Sequence, residues 1–272
     1  MKIGCIGVGN MAGAIVRGIL ANGFASADDI GAYDKDEAKL RAFADDTGID
    51  VLPSNREVVL RSEAILLAVK PNDLPALLSS IGSEVLAKKP LLLSIATGTS
   101  LAMIGEWLGD AAGTIPVVRV IPNVNVQVGA GLAGYCPNQA VSEEQTAWAE
   151  AFFSSIGLAI RIDEDKFSVF QAVGCASPAW TFLFIQGLAL GGVKKGLSKQ
   201  QATLAAAQSV MGSAKLVLES GRHPAALVDT VCSPGGTTIV GVSTLEEGGF
   251  SGLLIKAVEN CHDRDQEILA QK

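Results

Sequence analysis

Two glycine-bearing stretches hold the residues of this chain best suited to chemistry: Gly7-Val8-Gly9-Asn10-Met11-Ala12 and Ser233-Pro234-Gly235-Gly236-Thr237-Thr238. The first follows a short apolar run, Ile3 to Ile6, and leads into a segment with helical spacing. In that order Gly7 permits a tight turn, Gly9 leaves no Cβ between backbone and a diphosphate, and small Ala12 lets the helix press on the strand. This is the arrangement that binds a dinucleotide. The next apolar run, Ile30 to Tyr33, ends at Asp34, about 20 to 25 residues on, where a partner for a ribose hydroxyl is expected. An acidic Asp34 suits a ribose diol and repels a 2′-phosphate, whereas the adjacent Lys35 is suited to bind that phosphate. A glycine-rich loop without a ligand is the plainer reading of the same residues, and the strand before it and Asp34 after it count against that reading.

In the second stretch, two successive glycines after Pro234 let the backbone come close to a ligand. Ile239, Val242 and Leu245 then follow at helical spacing. Unpaired N–H groups at such a helix start suit a carboxylate, with the hydroxyls of Thr237 and Thr238 at its mouth. An interhelical turn with a threonine cap explains these residues equally well.

Elsewhere the chemistry is sparse. The two histidines, His223 and His262, read as structural or surface groups, and no cluster resembles a metal site or a Ser-His-Asp triad. The five cysteines (Cys5, Cys136, Cys175, Cys232, Cys261) are scattered without Cys-x-x-Cys spacing, so they read as reduced thiols of a cytoplasmic protein. Hydride transfer tolerates this poverty, because a nicotinamide supplies the reactive atom and the protein supplies position and charge.

The elements that must position these stretches alternate along the first part of the chain. Strands are expected at Ile3–Ile6, Ile30–Tyr33, Val51–Leu52, within Ala64–Val69, at Leu91–Ile95 and at Val117–Ile121. Helices are expected between them, at residues 11–22, 36–46, 73–81 and 101–108. Continuous apolar runs such as Ala64–Val69 belong to strands covered on both faces, and the alternation predicts a doubly wound parallel sheet. Pro53-Ser54-Asn55 reads as a turn facing the adenosine end of a cofactor. Two more strands (130–136, 158–162) flank a helix at 143–155. Beyond the charge cluster Asp163-Glu164-Asp165 strand signals stop, so the expected division is a Rossmann-type α/β domain over 1–163 and an all-α domain over 164–272. Ser198-Lys199-Gln200-Gln201 is a capping box for a helix running to Ser220, Pro224 starts another, and Ser251 is expected to cap the last.

At 272 residues the chain is long enough for two cores, and a net charge of −7 leaves no basic surface for nucleic acid. The N-terminus opens directly in a strand, which does not fit a signal peptide. Residues 167–193 carry no charge and are long enough to cross a bilayer, but interleaved polar and small residues favour a helix buried between protein neighbours over a membrane span. The alanine-, serine- and glycine-rich helix from Ala202 to Ala214 adds to this, and together they predict a subunit interface.

The chain resembles the pyrroline-5-carboxylate reductase family over essentially its full length. The resemblance is carried by Ile6 to Met11, Ala68-Val69-Lys70-Pro71, Ser94-Ile95-Ala96-Thr97-Gly98, Arg119 with Pro122-Asn123, Val210 to Lys215, and above all Ser233 to Ile239. It implies that Ile6, Gly7, Val8, Gly9, Asn10 and Met11 bind the pyrophosphate, Asn55 the adenosine ribose side, and Ala68, Val69, Lys70, Pro71, Ala96 and Thr97 the nicotinamide half. It further implies that Ser233, Gly235, Gly236, Thr237 and Thr238, contributed by a dimer partner's helical domain, hold the carboxylate of a cyclic imine, with Thr238 at the substrate nitrogen as the catalytic hydrogen-bond donor and Glu164 near the substrate. No metal is implied. The family's preference for NADPH is the expectation for the cofactor, with NADH left open by Asp34 and Lys35. A homodimer through the C-terminal helices, in some members assembled into a decamer, is implied as well.

The resulting expectation is reduction of L-1-pyrroline-5-carboxylate to L-proline. The chain departs from the family pattern at Ile121-Pro122-Asn123-Val124-Asn125 and at Gly174 to Trp180, which keeps a reductase of another cyclic imine in view. A hydroxyacid dehydrogenase-like enzyme would need a lysine facing a cleft from the first helix of the second domain, and Lys166 and Lys194 only flank that helix. A non-enzymatic nucleotide-sensing protein would have no use for the Ser233 to Thr238 loop.

Overall fold

Ala64–Leu67 and Leu91–Ser94 are buried at every residue. In the computed structural model, which describes residues 1–270, they are central strands of an eight-stranded sheet, counted among the described residues. The strands are β1 (Ile3–Ile6), β2 (Ile30–Tyr33), β3 (Asp50–Val51), β4 (Ala64–Leu67), β5 (Leu91–Ser94), β6 (Val117–Pro122), β7 (Gly131–Pro137) and β8 (Gly157–Arg161). Their spatial order is β3-β2-β1-β4-β5-β6-β7-β8. The order reverses at β1, between β2 and β4, which opens a crevice at the carboxyl ends of β1 and β4.

Side chains alternate across this sheet. Leu91 and Leu93 pack with Ile15, Ile19 and Phe152 on one face, while Leu92 packs with Val58, Leu78 and Ile104 on the other. Both faces are therefore dry here, which is why β4 is apolar at every position and β5 at all but Ser94. The first face is covered by α1 (Asn10–Ala21), α2 (Glu37–Thr47) and α6 (Glu143–Ser154), the second by α3 (Asn55–Arg61), α4 (Leu74–Lys88) and α5 (Leu101–Leu108).

Two local expectations change. The turn expected over Pro53–Asn55 ends as soon as α3 begins at Asn55: the Ser54 hydroxyl accepts from the Glu57 N–H at 3.2 Å, a Ser-x-x-Glu start signal in plain sight. Helix α4 continues past Ile81 to Lys88, because Gly82 is a packing residue and not a stop. A Cβ there would meet the Leu108 carbonyl oxygen of α5 at 2.9 Å. The alternating strands β1 to β6 pair parallel as expected, and β7, for which no direction was expected, pairs antiparallel with β6. Only a short 3-10 turn, Val124–Val128, lies between them, too little chain for a parallel crossover.

The remainder is helical: α7 (Phe167–Phe170), a π-helical stretch Gln171–Ala176, α8 (Ser177–Lys194), α9 (Lys199–Ser220), α10 (Pro224–Val231), α11 (Thr237–Glu247) and α12 (Phe250–Ala270). Packing divides the chain into two units, Met1–Cys175 together with the residues from His262 onward, and Ala176–Cys261. The charge cluster at Asp163–Asp165 marks the end of the last strand, and the packing division falls at the end of the π-helical stretch. Within the first unit the terminal helix is latched by a buried contact, Ser168 Oγ donating to Asp265 Oδ2 at 2.6 Å. Ser251 lies inside α12 and its hydroxyl bonds Glu246 at 3.2 Å, so it is not the cap expected.

In the second unit α9 opens with the expected capping box at Ser198 and Gln201 and closes at Gly221 in the left-handed conformation. Small residues Ala189, Ala202 and Ala206 let α8 and α9 meet closely. Large apolar side chains are nevertheless exposed, Leu183 at 67%, Leu204 at 69% and Leu218 at 74%. Residues 164–194 form one helix run long and apolar enough to cross a membrane by length and composition, and only 17% of its most apolar window is buried within the single chain. One copy of the chain does not supply the protein neighbours that the sequence called for.

Candidate active site

The crevice is built around Gly7. Its φ of +91° is a left-handed conformation that a side chain would strain, and a Cβ there would meet the Ala68 carbonyl oxygen at 2.9 Å. The turn is held by backbone: Gly7 N–H donates to the Tyr33 carbonyl at 2.9 Å. Gly9 caps α1 in extended conformation without a side-chain cap. A Cβ on Gly9 would meet nothing nearer than Lys39 Nζ at 4.0 Å, so that face of the turn is open. The first N–H groups of α1 lack intrahelical acceptors and make the turn an anion cradle.

A cavity of about 510 Å³ lies over this turn. It brings together Ile6, Gly7, Gly9, Asp34, Lys35, Asn55, Ala68, Val69 and Lys70, all expected from the sequence. Val8, Asn10, Met11, Pro71, Ala96 and Thr97 do not line it. The Val8 N–H is taken by Asp34, Ala96 is buried in the core, and Asn10 lines a separate hollow with Arg17 and Asn22. The wall also contains residues that the sequence reading missed: Tyr33, Lys39, Asn72, Asp73, Ala76, Leu77 and Ser80. Signals for two groups of them existed. Lys39 falls in the first turn of the helix expected over 36–46, and Ala76 and Ser80 are four apart on one face of α4.

Two of the lysines at the cavity edge are ion-paired. Lys35 Nζ lies 3.0 Å from Asp73 Oδ2, and Lys39 Nζ lies 3.8 Å from Asp34 Oδ2. Below the turn, burial and then the charge of Asp34 push the Cys5 thiol up to about 12, so this cysteine is not a nucleophile.

Glu164 occupies a node of the same unit. Its Oε1 accepts from the Leu101 N–H at 2.7 Å and from Arg119 Nη1 at 3.0 Å. Arg119, buried on β6, also lies over the Phe167 ring at 4.3 Å. The carboxylate thereby joins the first residue of α5, the sheet and the start of α7. Asn123 is similarly structural: its Oδ1 accepts from Asn125 and Leu132, and its Nδ2 donates to the Gly174 carbonyl at 2.9 Å.

The second glycine stretch lies in the helical unit. Gly235 has φ +69°, Gly236 N–H donates to the Ser233 carbonyl at 3.0 Å, and a Cβ on Gly236 would collide with the Ser233 hydroxyl. Each glycine is thus required by its position. Gly236 caps α11 without a side-chain cap, and Thr237 and Thr238 form its exposed first turn. His223 is the cap of α10, its Nδ1 accepting from the Ala225 N–H at 3.2 Å, which accounts for it structurally.

Comparison with known proteins bears on both units. Residues 2–98 match the family model described as NADP oxidoreductase coenzyme F420-dependent, and residues 164–268 match pyrroline-5-carboxylate reductase dimerisation. The pyrroline-5-carboxylate reductase of Escherichia coli (strain K12) is 40% identical over 267 residues, 98% of each chain. The chain belongs to the pyrroline-5-carboxylate reductase family. The corresponding reductase of Methanosarcina acetivorans is 35% identical, over 98% of this chain and 97% of its own. Among solved structures, a pyrroline-5-carboxylate reductase from Coxiella burnetii superposes with a TM-score of 0.92 at 32% identity over 98% of each chain. The Plasmodium falciparum pyrroline carboxylate reductase, solved with NADP bound, gives 0.86 at 29% identity, also over 98% of each chain.

Membership makes the fold, a Rossmann-type unit followed by helices, that of a pyrroline-5-carboxylate reductase throughout. The match of residues 164–268 to a dimerisation model supports oligomer formation.

Proposed function

We infer that this protein reduces L-1-pyrroline-5-carboxylate to L-proline with NADPH, the last step of proline biosynthesis. The observation that carries the reading is the 40% identity to a named reductase over 98% of both chains. The cavity fits the cofactor on its own terms. Its floor is a glycine turn in which a side chain at Gly9 would enter the open space, and the unbonded start of α1 faces it. Bound there, NADPH supplies a hydride from C4 of its nicotinamide.

The chain's own residues have the work of placement. Ile6 to Met11 cradle the diphosphate, Asn55 sits toward the adenosine ribose, and Ala68 to Pro71 with Ala96 and Thr97 border the nicotinamide half. The N–H groups of Thr237 and Thr238 at the start of α11 fix the substrate carboxylate, supported by the open cap of that helix, while the Gly236 N–H is held by the Ser233 carbonyl. The substrate imine is readily protonated, so the hydride adds to C5 of an iminium and the nitrogen retains its proton in the proline formed. Thr238 orients that proton, and most of the rate comes from holding C5 against the donor. Glu164 serves indirectly: bonded to Arg119 and Leu101, it fixes the turn that carries Ala96 and Thr97.

The interface assigned to the dimer is made by the exposed apolar side chains of α8 and α9, where Leu183, Leu204 and Leu218 stand in solvent in a single chain. A second copy covering this face accounts for the apolar 164–194 run without a membrane. A light-scattering mass distinguishes dimer from decamer, and a monomer at micromolar concentration contradicts the interface. Cys5, Cys136, Cys175 and Cys232 are free thiols, which fits a cytoplasmic enzyme.

A spectrophotometric assay tests the activity. Oxidation of NADPH with pyrroline-5-carboxylate and none with 2-keto acids is the expected result. Activity only with keto acids, or with neither, overturns it.

A further inference from the structure

Asp34 ends β2 at the place where a carboxylate ordinarily takes the ribose hydroxyls and keeps a 2′-phosphate out. In this chain both of its oxygens are engaged by backbone. Oδ2 accepts from the Val8 N–H at 2.8 Å, and Oδ1 accepts from the Asp36 N–H at 3.0 Å. The side chain is only 13% exposed. Three lysines, Lys35, Lys39 and Lys70, line the same cavity; Lys70 follows β4, and the two that follow β2 differ in their engagement. Lys35 forms a direct ion pair with Asp73 at 3.0 Å. Lys39 stands 3.8 Å from Asp34 Oδ2 and 4.0 Å from the Cβ position of Gly9. Its ammonium therefore lies between the end of β2 and the glycine turn, offsetting the charge that would otherwise repel a phosphate. Its place on the helix is unfavourable in itself. Lys39 falls in the first turn of α2, bonded through its N–H to the Asp36 cap at 3.1 Å, where the helix dipole disfavours a cation. A role toward an anion in the cavity accounts for that choice of residue.

Resting on the NADPH reading above, we propose that Lys39 reads the 2′-phosphate of the cofactor and sets its preference over NADH. Asp34 then serves to fasten the glycine turn, and Lys35 remains with Asp73.

The test is calorimetric binding of 2′,5′-ADP and of AMP to the whole protein; the two ligands share adenosine and a 5′-phosphate and differ in the 2′-phosphate. The native protein binds 2′,5′-ADP more tightly, by a margin that shrinks as salt is raised. Lys39→Met weakens 2′,5′-ADP by about tenfold, the worth of one such contact, and leaves AMP unchanged. Lys39→Arg keeps the preference, and Lys35→Met alters it far less. A native protein that does not distinguish the two ligands overturns the NADPH reading and this proposal together. A native preference that survives in Lys39→Met, or an equal loss for both ligands, overturns the proposal alone and leaves the NADPH reading standing.

Discussion

The carboxylate of Asp34 accepts the Val8 N–H at 2.8 Å, so the end of β2 is fastened to the turn that follows β1. With the Asp36 N–H on its other oxygen, the side chain braces two loops of the cavity wall. Asp34→Ala leaves both N–H groups without this acceptor and lowers stability by about 2 kcal/mol, within the range for hydrogen bonds to charged groups. It raises KM for NADPH and NADH alike, because the turn serves the part the two cofactors share. Urea unfolding and KM values for both cofactors check this; a selective gain for NADPH contradicts the bracing role.

Glu164 meets a buried arginine. Its partner Arg119 is 8% exposed at the side chain, while Glu164 itself is 32% exposed. Glu164→Ala strands the guanidinium and the Leu101 N–H together, and stability falls by about 2 to 3 kcal/mol, below the full cost of breaking a buried pair because the carboxylate is partly solvated. Glu164→Gln, which keeps an acceptor, recovers part of the loss. Turnover falls with little change in cofactor KM if the residue acts by fixing the turn before α5, and denaturant midpoints beside steady-state kinetics separate the two effects.

Asp110 sets an acid limit on the fold. Burial pushes its carboxyl up, but the N–H groups of Thr114 and Ile115 and the Thr114 hydroxyl together outweigh burial and hold it below the ordinary carboxylate range. A group depressed in this way contributes stability above its unfolded value, about 3.9, and loses it as pH falls through the lowered folded value. Asp110→Asn is accordingly less stable than the native protein above about pH 5, and the difference shrinks below pH 4. Thermal midpoints measured from neutral pH downward show the convergence, and a constant gap contradicts it.

Thr238 stands in the exposed first turn of α11 and supports no packing. Thr238→Ala therefore leaves the fold unchanged and lowers turnover by at least about tenfold, as loss of a positioned proton partner does. Cofactor affinity stays as it was, because the cavity over Gly7 lies in the other unit. Unchanged turnover in this variant removes Thr238 from the mechanism.

Much of this molecule is legible in local patterns. Leu101–Leu108 ends where Gly109 turns left-handed, and the Ser198 box opens α9 where expected. These two ends are written in neighbouring residues and are found from spacing, whereas Ser251, expected as a cap, lies inside α12. The end of α4 escaped the same reasoning because Gly82 serves a neighbour across space, the Leu108 carbonyl, which no local pattern encodes.

The site divides in the same way. The Gly7 turn, Asp34 and the Ser233 to Thr238 loop follow from residue type and order alone, because a backbone bent at glycine and an open helix start are local properties. What Asp34 binds, which lysine stands beside Gly9, and that Glu164 holds Arg119 are settled between residues far apart in sequence. The first two depend on β2 lying beside β1, and the last on β6, β7 and β8 lying side by side; the chain acquires that order only when both faces of the sheet are buried. The sequence by itself determined a dinucleotide turn on an α/β fold; the tertiary structure decided which charges face it.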